Sequence, residues 1–238
     1  MDNAFVEKVD LYDRFLLKHF PNRETLRATC FITLNYDCLL ERALCRCYHR
    51  SPDPNEIQCL CSRIDYRLHP PQNNIPGIEV LKPHGSINWV PDETLGNEMY
   101  VQRPVTTILQ GNTQEYTEIN AVDSPQHKGD IDIVVAHYAP EKEAQINPGL
   151  LKRIRDLSLE RLRQSTTLTI IGVHIPDNPT DDPFLYEFLN VASDRAGNGL
   201  PVYFVNVSDS ELRKASSRGF TPMKWTFERY IDQSTEGA

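Results

Sequence analysis

Short, nearly unbroken apolar runs that alternate with helix-patterned segments are what most constrain the fold of this 238-residue chain. Leu168 to His174, closed at Gly172, and Val202 to Val207 have the length and continuity of strands covered on both faces, as in parallel sheets. Further strand-like runs lie at about Ala28 to Leu34, Ile78 to Leu81 and Ile131 to Ala136. Between them, residues Asn3 to Phe20 place Phe5, Val6, Val9, Tyr12, Leu16 and Leu17 at a helical period that stops at Pro21. The same period recurs from Asp37 (Leu39, Leu40, Ala43, Leu44, Cys47), over Leu150 to Leu162, and over Pro183 to Ser193, with a last short helix capped by Asp209. Strands that alternate with helices predict an α/β fold: a Rossmann-like, doubly wound, mainly parallel sheet with helices on both faces.

Residues Ser51 to Pro76 hold five prolines and little periodicity, so they read as a loop-rich connection. Asn88 to Lys128 alternates weakly and reads as a small irregular insertion with a short hairpin, a subdomain spanning 88–128. Nothing else interrupts the pattern, and residues 1–238 are expected to form one domain.

Composition narrows the partners. The chain is 39% apolar and 24% charged with a formal net charge of −8. That is a soluble globular balance. Phosphate backbones demand a basic surface, so nucleic acid and anionic membrane surfaces are not expected partners. No apolar run approaches the roughly 18 residues of a membrane-spanning helix, and no signal-like leader opens the chain, which predicts a cytoplasmic protein. The basic outer face of 150–162 (Lys152, Arg153, Arg155, Arg161, Arg163) reads as solvated. Six cysteines include Cys45, Cys47, Cys59 and Cys61 in two Cys-x-Cys pairs. Zinc knuckles usually use Cys-x-x-Cys, so reduced thiols and no metal are expected.

Chemistry concentrates where strands end. Phe31-Ile32-Thr33-Leu34-Asn35-Tyr36-Asp37 delivers an amide and a carboxylate to the carboxyl end of a strand, where open α/β sheets bind ligands. An ordinary loop with a helix N-cap accounts for the same residues. The turn His84-Gly85-Ser86, the pair Gly172 and His174, and Asn206 lie at three further strand ends, and His137 follows a fourth.

In order and character these segments resemble the sirtuin-like family of NAD-binding proteins. Thr33-Leu34-Asn35-Tyr36-Asp37 resembles its Thr-x-Asn-x-Asp motif, and Leu81-Lys82-Pro83-His84-Gly85-Ser86 its His-Gly segment. Thr169-Ile170-Ile171-Gly172 is similar to its apolar strand ending in Gly, and Val202-Tyr203-Phe204-Val205-Asn206 to the strand whose Asn faces the adenosine ribose. The match spans about residues 28 to 208 and is closer to the bacterial branch without deacetylase features, several members of which degrade NAD in defence against phage. The resemblance implies an NAD hydrolase that cleaves the nicotinamide glycosidic bond, with Asn35, Asp37 and His84 catalytic and Thr33, Gly85, Ser86, Gly172, His174 and Asn206 binding NAD.

Such cleavage builds positive charge on the ribose C1′, as in glycoside hydrolysis. Asn35 would orient a ribose hydroxyl or a water, Asp37 would stabilise the cation or hold the nicotinamide amide, and His84 would be the general base. Two features depart from the family. No Gly-x-Gly follows an apolar strand, so the pyrophosphate cradle is missing and the chain is expected to lack the family's first strand. No Cys-x-x-Cys follows His84, so zinc-dependent deacylation is not expected. The expected partner is NAD or a related nucleotide, with a homo-oligomer or a partner protein left open. The alternatives are a non-catalytic sirtuin-like module that binds a nucleotide or protein, and an unrelated doubly wound protein.

Overall fold

The computed structural model describes residues 2–35, 37, 39–49, 64–67, 77–86, 89–91, 100–102 and 148–233. Among them the chain is mixed α/β, with seven helices and two small parallel sheets. It divides into two compact units, residues 1–154 and 155–238.

In the first unit, α1 (Asp2–His19) and α2 (Arg23–Arg27) precede β1 (Cys30–Ile32). Pro21 and Asn22 separate the helices, and the Asn22 carboxamide caps α2 by accepting from the Thr25 N–H at 2.9 Å. After α3 (Leu39–His49) come β2 (Ile64–Asp65) and β3 (Ile78–Leu81). The three strands pair in parallel in the order β1-β3-β2, with Ile32 opposite Leu81 and Ile64 opposite Ile78. All four residues of the central β3 are buried, which is why its pattern is continuous rather than alternating. Helix α1 packs on α3. Phe20 bridges Phe15 and Phe31 by edge contacts, with ring centroids 5.7 and 5.3 Å apart. Leu16, Leu26, Leu40, Ala43, Leu44 and Val80 fill the core.

Strands β4 (Trp89–Pro91) and β5 (Tyr100–Gln102) pair antiparallel, which is the hairpin expected within 88–128. The remainder of 88–128, the run Ile131 to Ala136 and His137 lie outside the described residues. Helix α4 (Pro148–Gln164) follows, and the boundary between the units falls within it.

The second unit is built on β6 (Leu168–Ile171), α5 (Pro183–Gly197), β7 (Val202–Asn206), α6 (Asp209–Ser217), β8 (Thr221–Lys224) and α7 (Phe227–Gln233). Its strands run parallel in the order β6-β7-β8. Phe204 in the central strand is fully buried and stacks on Phe220 at 6.4 Å. Asp182 caps α5 through the Leu185 N–H at 3.0 Å, with Pro183 in the first turn. Helix α6 corrects one expectation: its N-cap is Ser208, and Asp209 is the first helical residue. No helix among the described residues is long and apolar enough to cross a membrane.

Candidate functional site

In the first unit, β1 and β3 are parallel neighbours, so their carboxyl ends reach the same edge of the sheet. The ladder runs one residue past β1, where the Thr33 N–H donates to the Leu81 carbonyl at 3.0 Å. Thr33 Oγ1 then accepts from the Asn35 N–H at 3.2 Å, turning the chain out of the strand. Asp37 lies just before α3, and its Oδ1 accepts from the N–H of Leu39, the first residue of that helix, at 3.0 Å. Opposite, β3 runs into a turn whose central residues are Pro83 and His84, closed by the Gly85 N–H on the Lys82 carbonyl at 2.9 Å. Gly85 has φ +88°, in the left-handed region that favours glycine. His84, Gly85 and Ser86 are buried, Asp37 is half-buried and Asn35 is exposed.

Lys82 of the His-Gly segment and three residues assigned no role by motif reading, Glu41, Tyr66 and Tyr12, join this edge. The Lys82 ammonium and the Glu41 carboxylate are both completely buried and 2.8 Å apart, and Lys82 Nζ also donates to the backbone carbonyl of Asp37. The Tyr66 hydroxyl, just beyond β2, donates to the same Glu41 Oε1 at 3.2 Å. Tyr12 of α1 shares a side-chain hydrogen bond with Asn35. Burial first, then the charges of Asp37 and Glu41, push its hydroxyl up to about 12 against that bond. The available signals were a lysine directly continuing an apolar strand, and Glu41 one helical turn after Asp37.

The second unit collects Gly172, His174 and Asn206 at the carboxyl ends of β6 and β7. Gly172 has φ +68° and donates its N–H to the Val205 carbonyl at 2.9 Å. Asn206 Nδ2 donates to the Val173 carbonyl at 2.9 Å, and its Oδ1 accepts from the Ser208 N–H at 3.0 Å. His174 is 72% exposed, and its Nδ1 lies 3.1 Å from Glu211 Oε1. The other Glu211 oxygen accepts from the Ile175 N–H at 2.6 Å, and Lys214 donates to the Ile175 carbonyl at 3.0 Å. These bonds tie the segment after β6 to α6.

The structure thus groups Thr33, Asn35, Asp37, His84, Gly85 and Ser86 on one sheet edge, and Gly172, His174 and Asn206 on another. No group of three or more His, Cys, Asp or Glu among the described residues is placed to hold a metal ion. Cys59 and Cys61 lie outside the described residues, and Cys47 Sγ is 3.9 Å from the Asp13 carbonyl oxygen. Comparison with protein-family models, with curated proteins and with solved structures finds no match to this chain.

Proposed function

We propose that the carboxyl edge of β1 and β3 is the nicotinamide–ribose end of an NAD site, and that this chain is a sirtuin-like NAD glycohydrolase. The observation that carries the proposal is the parallel pairing of β1 with β3, which sets the Asn35–Asp37 turn beside the turn bearing His84. The proposed fold is the Rossmann-like, doubly wound sheet with helices on both faces, supported by the parallel pairing within each unit. In the reaction, the bond from ribose C1′ to the nicotinamide nitrogen breaks and its electron pair neutralises the pyridinium. Water adds to C1′ and gives up one proton to His84, leaving ADP-ribose and nicotinamide. The Asp37 carboxylate stabilises the oxocarbenium-like state by its charge, and Asn35 orients the ribose or the water. A cytoplasmic setting and a role in phage defence through NAD depletion belong to the same proposal.

A second reading has its own support. Asn35 is bonded to Tyr12, Asp37 Oδ1 caps α3, His84 is 3% exposed, and Asn206 holds Val173 and Ser208. Polar groups engaged this way suit a non-catalytic module that binds a nucleotide or a protein.

Incubation with NAD, following nicotinamide release for the native chain, His84→Ala and Asn35→Ala, separates the readings. The hydrolase reading expects release by the native chain and its loss in both variants. Equal release from all three would remove these residues from the site. Saturable NAD binding without release would leave the non-catalytic module.

A further inference from the structure

The proposed reaction gives the buried Lys82–Glu41 pair no task, yet the pair joins the ends of the three described strands on that edge. Lys82 directly follows β3 and opens the turn that carries His84. Its ammonium reaches across to the Asp37 carbonyl, in the turn that follows β1. Glu41 lies one helical turn beyond Asp37 in α3, and its Oε1 accepts from both Lys82 and the Tyr66 hydroxyl next to β2. Taking the NAD-site reading as its basis, we infer that Lys82 and Glu41 are a positioning pair, locking the Asn35–Asp37 turn and the His84 turn into one register.

Stability alone is a poor reason for such a pair. Withdrawing both charges from water offsets most of their attraction, and well-packed apolar residues of similar volume generally serve a core as well. An apolar pair cannot bond the Asp37 carbonyl, and a lysine without a carboxylate partner would be buried at prohibitive cost. The arrangement therefore does what only a charged, multivalent donor can do. It ties a backbone carbonyl of one turn to the residue that begins the other, and it holds that donor in place from α3 and from β2. Buried polar networks of this kind fix one arrangement of the segments they join.

The test is the double variant Lys82→Met/Glu41→Leu, which keeps volume and removes both charges. Amide hydrogen exchange is read at Leu39, capped by Asp37, and at Gly85, which closes the His84 turn, with Val80 in β3 as the internal control. The pair's removal is expected to speed exchange at Leu39 and Gly85 together by about tenfold or more beyond the change at Val80, which reports global opening. Nicotinamide release is expected to lose about a hundredfold in kcat with KM within a few-fold, since small misplacements of reacting groups cost on that order. Unchanged exchange at Leu39 and Gly85, or an unchanged kcat, overturns the inference. If the native chain releases no nicotinamide, the NAD reading fails, and the exchange comparison decides the coupling by itself. Should the double variant not fold, Glu41→Gln is the isosteric substitute. It removes the charge, keeps the Oε1 acceptor, and is expected to loosen the same two amides together; leaving both protected would overturn the inference.

Discussion

Breaking the Lys82–Glu41 pair one partner at a time should cost far more than removing it whole. Lys82→Met leaves the fully buried Glu41 carboxylate without its cation, holding among the described residues the Tyr66 hydroxyl on Oε1. Glu41 Oε2 accepts no hydrogen bond among the described residues, so nothing on that side compensates. Glu41→Leu buries the ammonium without its carboxylate, and each single change is expected to destabilise by about 3–5 kcal/mol. The double variant removes both charges. It also deprives the Asp37 carbonyl and the Tyr66 hydroxyl of these partners, at about 1–3 kcal/mol each, against a gain of about 1–4 kcal/mol from relieved desolvation. At the midpoints of these ranges the double variant loses about 1.5 kcal/mol where the two single losses together come to about 8 kcal/mol, a coupling of about 6.5 kcal/mol where independent sites agree within about 0.5 kcal/mol. Urea unfolding of the four proteins of the cycle measures this. With a slope of about 2 kcal/mol per molar, each single variant should lose about 1.5–2.5 M in midpoint. Single losses that simply add in the double variant would refute the reasoning, because an additive pair is one that water already screens.

Two further outcomes follow from named geometry. Tyr12 titrates at about 12 in the folded chain and near 10.0 when unfolded, because burial, Asp37 and Glu41 disfavour its phenolate. Its contribution is therefore full below about pH 10 and lost as pH rises from about 10 towards 12, by about 2–3 kcal/mol. The stability difference between the native chain and Tyr12→Phe isolates it, and a difference that stays flat across that window would exclude it. Gly172 and Gly197 have no atom within 4 Å of where a Cβ would stand, but only Gly172 has a positive φ, +68°. Gly172→Ala should thus cost about 1–2 kcal/mol through backbone strain alone, whereas Gly197→Ala at the end of α5 should stabilise by about 0.5–1 kcal/mol. Equal effects in thermal or urea unfolding would show that conformation is not what distinguishes them.

Why some of this was readable and some not comes down to the range of the interactions. Strand β3 announces itself because a central strand is buried on both faces, so Ile78 to Leu81 is a continuous apolar run bounded by Lys82-Pro83. Strand β2 is two residues long inside a proline-rich stretch; its strand character comes from pairing with β3, which no local pattern carries. Strand β8 is an edge strand, Thr-Pro-Met-Lys, mostly exposed, and Pro222 is tolerated at such an edge. Side chains divide the same way. Ser208 and Glu211 stand at the spacing of a reciprocal capping box. Asn206 instead takes the Ser208 N–H, and Glu211 turns to Ile175 and His174. Asn35 and Asp37 could be singled out because a polar pair after an apolar run is a local signal, and Asp37 does make a local bond, to Leu39. Lys82 and Glu41 lie far apart along the chain and meet only in the fold. A lone lysine or glutamate reads as surface, since either is buried only when paired. Local pattern thus finds the groups that shape a turn, whereas the groups that hold one turn against another become visible only when strand pairing brings their partners into reach. Substitutions at Lys82 and Glu41 therefore test the candidate site through a pairing that only the fold brings about.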